Sequence, residues 1–254
     1  MSASLSKWLP YRRDIPGAKL HLFCFPFGGG GASIFSSWQN GMPAGVEVCP
    51  IQPPGRETRL SEPPVTRMPQ MISLLGDALT PYFDRPFAFY GHSIGALTAF
   101  ELARLLRRQG LRSPEWLFAS GHPSPDLPRR RPRVSHLERP EFIEAMREYF
   151  EVASALLDNE GMMNFVFPAL RADYELVETY AYQQEPPLDI PFTLFGGSYD
   201  PEATEDELLA WKRHTTGPFN VKILKGNHMF INTARETLIS ELANGLARLP
   251  LLQP

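Results

Sequence analysis

Gly91-His92-Ser93-Ile94-Gly95 constrains this chain more than any other stretch. Before it, Phe87-Ala88-Phe89-Tyr90 is a short apolar run led in by Pro86, the pattern of a buried strand. After it, Ile94, Leu97, Leu102, Leu105 and Leu106 recur at near-helical spacing, and Gly110 follows as a stop signal. Strand, tight turn and helix, in that order, are the setting in which G-x-S-x-G forms a nucleophile elbow. Small residues two before and two after the serine let strand and helix pass closely while the serine takes a strained backbone conformation. Ser93 is then expected at the carboxyl end of a sheet, beside free helix N–H groups and the positive end of the helix dipole.

An earlier apolar run, 20–25, ends in Pro26-Phe27-Gly28-Gly29-Gly30-Gly31-Ala32-Ser33. A phosphate loop of the form G-x-x-x-x-G-K-[ST] needs a lysine that is missing here. A loop that aims N–H groups across a sheet at a nucleophile needs only the glycines. Phe27 or Gly28 is therefore assigned as one oxyanion donor and Ile94 as the other; the alternative is a flexible turn into a helix near 33–38. Further strands are expected at 46–52, 116–120, 192–195 and 221–224, with helices near 68–83 and 205–214. Alternating strands and helices predict a mainly parallel sheet with helices on both faces.

Asp200 lies on the turn that closes the 192–195 strand, where a carboxylate can orient a histidine. Asp189 precedes that strand and is at the wrong end, and Asp206 belongs to the next helix. Of the six histidines, His228 alone follows the last strand in a glycine-bearing turn. His92 is expected to point away from Ser93, His21 opens a strand, and His122, His136 and His214 lack the position. The order Ser93, Asp200, His228 is that of the α/β hydrolases.

With 254 residues, 43% apolar and 21% charged, the chain is expected to form one α/β domain spanning 1–254. A net charge of −3 gives no reason to propose nucleic acid or a charged membrane as partner. Residues 1–10 show no apolar leader, and no apolar run approaches a membrane span, so a cytoplasmic, monomeric protein is expected. Cys24 and Cys49 sit in apolar runs and are read as buried free thiols, with no metal spacing. The 26 prolines, about twice average usage, cluster in loops.

From 123 to 187 no strand is evident, and helical stretches are expected around 141–150, 161–170 and 171–182. Such an insertion where strands end is a candidate lid. Its Phe142, Met146, Leu156, Met162, Met163, Phe165 and Phe167 either line an acyl tunnel or pack the lid itself, packing being the reading for any single one. Arg129-Arg130-Arg131 with Arg133 is the densest basic run, a solvated loop or a landing patch for an acidic partner or phosphate.

Taken in order, several segments resemble the type II thioesterases that accompany polyketide and nonribosomal peptide synthetases, of the α/β-hydrolase superfamily. They are Phe25-Pro26 with its glycines, Gln52-Pro53-Pro54-Gly55-Arg56, Gly91-His92-Ser93-Ile94-Gly95-Ala96, Leu170-Arg171-Ala172-Asp173-Tyr174, Gly196-Gly197 with Asp200, and the 211–215 stretch. The chain departs from the family pattern at Phe27, Ile94, Asn227 and Met229. The resemblance implies hydrolysis of stalled or wrongly primed acyl groups from the phosphopantetheine arm of acyl or peptidyl carrier domains. No cofactor is expected, since nucleophile, base and electrostatics are all in the chain. A general carboxylesterase or lipase, and a non-catalytic carrier-binding subunit, are the competing readings. A chain starting at Met1 without a linker reads as free-standing, against a cyclising or acyl-transferring terminal domain.

Overall fold

The computed structural model describes residues 7–149 and 154–253. Six strands form one sheet: β1 (Leu20–Phe25), β2 (Val46–Pro50), β3 (Phe87–His92), β4 (Leu117–Ser120), β5 (Phe192–Gly197) and β6 (Phe219–Leu224). Their order is β2-β1-β3-β4-β5-β6, and every adjacent pair is parallel. Parallel strands covered on both faces read as near-continuous apolar runs, and β1 to β4 are buried throughout.

The period of two divides each strand between two cores. Phe23 and Phe25 of β1 and Phe87 and Phe89 of β3 face helices α1 (Met68–Leu79) and α2 (Ile94–Arg108). Leu20, Leu22, Cys24, Ala88 and Tyr90 face the opposite side, against Phe35, Trp38 and Leu238, Leu242 and Leu246 of the C-terminal helix Arg235–Leu246. Both cysteines are buried free thiols. No helix among the described residues is long and apolar enough to cross a membrane.

Between β4 and β5 lie α3 (Arg139–Tyr149), α4 (Ser154–Leu157) and α5 (Glu160–Glu178). These helices carry their own core of Val134, Phe142, Met146, Leu157, Met163 and Leu170. The stretches expected at 161–170 and 171–182 are one helix, α5, which runs through Pro168 and stops at Glu178. Pro168 has no N–H for the preceding turn; burial of Met163 and Leu170 on either side of it keeps the helix continuous. Phe150 of the expected 141–150 helix lies outside the described residues. Elsewhere the differences are at element ends. The expected helix at 33–38 is two short 3₁₀ turns, 68–83 and 205–214 each end in a 3₁₀ turn, and the last two strands are longer than expected.

Candidate active site

The chain runs outward from β1 to β2 and then crosses to the other side of β1 to form β3. That reversal opens a crevice at the carboxyl ends of β1 and β3, the place where open α/β sheets bind ligands. The loop at 26–30 leaves β1 there, and Ser93 follows β3. Ser93 has φ 55° and ψ −122°, in the strained region expected of a nucleophile elbow. Its N–H donates to the Ser120 carbonyl at 2.7 Å, and its own carbonyl accepts from Ala96 N–H at 2.9 Å.

The flanking glycines are required by contact. A Cβ on Gly91 would lie 2.5 Å from Ala96 N and closer still to Gly95 O, so β3 and the start of α2 touch there through bare backbone. The N–H groups of Phe27 and Gly28 donate to no acceptor among the described residues, whereas Gly29 N–H is taken by Asp173 and Gly30 N–H by the Phe27 carbonyl. Ile94 opens α2, so its N–H has no acceptor within the helix.

Asp200 and His228 come together from the turns after β5 and β6. The His228 Nδ1 lies 3.0 Å from Asp200 Oδ2 and 3.2 Å from Oδ1, so Nδ1–H is the donor and Nε2 is the nitrogen that can exchange a proton. The Asp200 carboxylate also accepts from the Glu202 and Ala203 N–H groups at 2.8 and 3.3 Å, which holds it in place. The turns themselves are tied by Ser198 N–H to the Leu224 carbonyl and Tyr199 N–H to the Gly226 carbonyl, each within 2.9 Å.

Ser93, Ile94, Phe27, Gly28 and His228 all open on one cavity of about 890 Å³. The model of the thioesterase domain family matches residues 20–245. The chain belongs to the thioesterase family. It is 39% identical to the linear gramicidin dehydrogenase LgrE of Brevibacillus parabrevis, over 96% of this chain and 94% of that protein. Among solved structures, it resembles the RedJ thioesterase of the prodiginine pathway in Streptomyces coelicolor, with a TM-score of 0.82, 37% identity and 96% of each chain covered. It also resembles YbtT, the type II thioesterase of the yersiniabactin NRPS/PKS pathway, with a TM-score of 0.77, 30% identity and 92% and 95% of the two chains covered.

Sequence reasoning missed part of this thioesterase's site. His92 turns away from Ser93 and holds His228 from behind: its Nε2 lies 2.9 Å from the His228 carbonyl, and its Nδ1 lies 2.8 Å from Ser120 Oγ. Burial first, and the charge of His228 second, push His92 far below the ordinary imidazole range, so it is neutral. Its Nε2–H therefore donates to the carbonyl, Ser120 donates to Nδ1, and Tyr90 O–H donates to Ser120 Oγ at 2.9 Å. Strand periodicity puts Tyr90 and His92 on one face; only the register His92↔Ser120 adds the third member. Glu202, also unforeseen, places Oε2 3.8 Å from His228 Nε2.

The other acidic and imidazole candidates have different duties. Asp189 accepts from Thr216, His21 pairs with buried Glu47, and His214 bonds to Asp126 and Ser124. His122 lines the cavity wall, with its ring bonded to the Pro123 carbonyl.

Leu156, Val166, Leu170 and Tyr174 of the inserted helices line the cavity opposite Ser93. Of the apolar residues considered for an acyl tunnel, Phe142, Met146 and Met163 are buried in the insertion's own core, while Met162 and Phe165 are exposed. Leu156 alone of that group reaches the cavity wall. The arginine run forms part of the same wall, but it is anchored: Arg130 chelates Glu207 at 2.7 and 2.8 Å, and Arg129 lies 3.5 Å from Glu178. Arg133 is exposed.

Three histidines make the fold acid-sensitive. His92, His122 and His214 are each held below the ordinary range, chiefly by burial, His122 down to about 4. All three take up a proton more readily when unfolded. Their contribution is therefore complete above the unfolded-state value near 6.5 and is lost as pH falls toward the folded-state values, by up to about 1.4 kcal/mol per pH unit for each proton taken up. His122 is partly open to the cavity, so its share is smaller. The melting temperature is expected to fall steadily between about pH 6.5 and pH 4, before most carboxylates titrate; a flat profile in thermal unfolding scans over that interval would contradict it.

Proposed function

We propose that this thioesterase hydrolyses acyl groups from the phosphopantetheine arm of acyl or peptidyl carrier domains in polyketide or nonribosomal peptide synthesis, through an acyl-Ser93 intermediate. The observation that carries the reading is the convergence of Ser93, at its strained turn, and the Asp200–His228 pair on one cavity walled by the inserted helices. A volume of about 890 Å³ has room for a prosthetic arm with an acyl group, at the upper end of the range for small-molecule sites.

In the first step Ser93 Oγ adds to the thioester carbonyl carbon as its proton passes to His228 Nε2. Asp200 keeps Nδ1–H aimed and stabilises the imidazolium. The N–H groups of Ile94 and of Phe27 or Gly28 receive the oxyanion, each contributing about a hundredfold or more. The tetrahedral adduct collapses, and the thiol leaves with the proton from His228. Water then attacks the acyl ester, giving a proton to His228, and the carboxylic acid departs as Ser93 regains its hydrogen. No step requires a metal or an organic cofactor. The inserted helices between 123 and 187 serve as a lid within a single domain, and the enzyme works as a cytoplasmic monomer.

The dehydrogenase name of one relative finds no support in the residues of this chain. Gly28-Gly29-Gly30-Gly31 lacks the G-x-G-x-x-G spacing and leads into a four-residue 3₁₀ turn rather than a long helix.

The deciding experiment presents one short acyl group on a phosphopantetheinylated carrier protein, on a small thiol and as an oxyester. Fastest release from the carrier is expected; equal or better oxyester cleavage would point to a general esterase, and binding without turnover to a non-catalytic subunit. Arg129 and Arg130 are held by carboxylates of this chain and Arg131 meets the Pro201 carbonyl, so the exposed Arg133 is the member of the run best placed to meet an acidic carrier. Arg133→Glu is expected to raise KM for carrier-bound substrate about threefold to tenfold at low salt and leave small thioesters unchanged. An equal effect on both substrates would remove Arg133 from the docking surface.

A further inference from the structure

Two segments that the reaction leaves unused, Gln52-Pro53-Pro54-Gly55-Arg56 and Leu170-Arg171-Ala172-Asp173-Tyr174, meet behind the loop at 26–30. Arg56 and Asp173 are both buried and form a two-pronged pair, Nη1 to Oδ2 at 2.5 Å and Nη2 to Oδ1 at 2.8 Å. The pair also holds the loop by its backbone. Asp173 Oδ2 accepts from Gly29 N–H at 2.7 Å, and Arg56 Nη1 donates to the Gly30 carbonyl at 3.3 Å. Gln52 adds a third point: its Oε1 accepts from Ala32 N–H at 3.1 Å, while its Nε2 donates to the Arg56 carbonyl at 3.1 Å.

A buried ion pair is a poor device for stability alone, because desolvation offsets the Coulomb attraction and an apolar pair of the same shape would pack as well. An apolar pair could not, however, take a backbone N–H and give a hydrogen to the next carbonyl. Those two groups belong to the 28–29 and 30–31 peptide planes, so they fix the loop directly after Phe27 and Gly28. The acceptor comes from α5, and Leu170 on the same helix would stand 3.0 Å from a Cβ on Gly29, so the helix is seated directly on the loop.

We propose that Arg56 and Asp173 are positioning residues that set the direction of the Phe27 and Gly28 N–H groups toward the oxyanion, and that they couple this direction to the seating of the inserted helix α5. The proposal rests on the assignment of those N–H groups as oxyanion donors. Neither side chain acts on the acyl group itself. They act through the loop, so their effect belongs to the transition state and not to substrate binding.

Asp173→Asn is nearly isosteric but replaces one acceptor oxygen by an NH2 group, so whichever way the amide turns it sets a donor either against Arg56 Nη2 or against Arg56 Nη1 and Gly29 N–H, and the two-pronged pair is lost. Arg56→Lys keeps the charge and loses the fork. For each variant, hydrolysis of a small acyl thioester is measured together with binding of two inhibitors. One is a trifluoromethyl ketone, to which Ser93 adds to form an oxyanion; the other is the matching thioether without a carbonyl. Asp173→Asn is expected to lower kcat about 10- to 100-fold with KM changed less than about threefold. It should weaken the ketone in parallel and leave the thioether unchanged, and Arg56→Lys should follow with a smaller loss. Loss of activity only in proportion to folded protein, or equal weakening of both inhibitors, would overturn the proposal. A wild-type enzyme that binds ketone no tighter than thioether would instead remove the oxyanion assignment itself, and the proposal with it.

Discussion

Ser93→Ala is expected to lower kcat for thioester hydrolysis by about 10⁴-fold or more without lowering the melting temperature. The covalent route disappears with Oγ, and what remains is the oxyanion groups and the cavity acting on a bound thioester with no nucleophile in line. The fold has little to lose. Ser93 makes no side-chain cap to α2, and its backbone bonds, to Ser120, Ala96 and Leu97, do not involve the hydroxyl. The positive φ at this position costs about 1–3 kcal/mol for serine and alanine alike, so the substitution does not relieve it. Turnover of a carrier-bound acyl group and a thermal unfolding curve, run on the same preparation, test both halves. Retained turnover would dismiss Ser93 as the nucleophile, and a melting temperature lower by several degrees would give the hydroxyl a structural duty.

Gly95→Ala should act oppositely, through the fold. A Cβ at Gly95 would lie 2.6 Å from the Pro26 carbonyl oxygen and closer still to that of Phe25. Both are main-chain atoms at the end of β1, whose pairing with β3 continues to Phe25↔Gly91. No rotamer change can relieve that overlap, so either the α2 start moves away from β1 or the two strands part. Destabilisation of about 3 kcal/mol or more is expected, and the folded fraction should hydrolyse thioesters poorly because the displaced backbone leads directly into Phe27. Gly110→Ala is the control: Gly110 has φ 66° but open space around it, so only the backbone term of about 1 kcal/mol applies. Denaturant titrations of the two variants separate contact from conformation, and equal losses would show that the contact at Gly95 is unimportant.

The acid sensitivity expected from His92, His122 and His214 is an effect on stability. His92 donates Nε2–H to the His228 carbonyl whether its Nδ1 accepts from Ser120 or is itself protonated. Protonation would turn Nδ1 into a donor to Ser120 Oγ, and the Ser120 hydrogen can pass to the Gly91 carbonyl at 3.1 Å, so what opposes protonation is burial of the charge and not a lost hydrogen bond.

Local sequence carried much of the site. Apolar runs of four to six residues marked the strands, because strands covered on both faces have no polar side to confuse the pattern. The turns after β1, β3, β5 and β6 were recognisable from glycines and from Asp200 and His228 beside them, and a parallel sheet brings all such turns to one edge. That the stretches at 161–170 and 171–182 are one helix ending at Glu178 was not legible, since helical spacing within each stretch carries no record of whether they join. Nor could composition sort the insertion's apolar residues, because helical spacing is the same whether a face meets another helix or a cavity.

By itself, then, the sequence determined the order of elements, the strained serine turn and the three side chains placed after the ends of β3, β5 and β6, for these depend on backbone preferences within a few residues. Tertiary structure alone decided the rest. Tyr90, Ser120 and His92 join only through strand register, and Arg56 reaches Asp173 across 117 positions. Arg130 is neutralised by Glu207 rather than left for a partner. A buried or charged side chain is matched by whatever the fold brings near it, and distance along the chain carries no record of that.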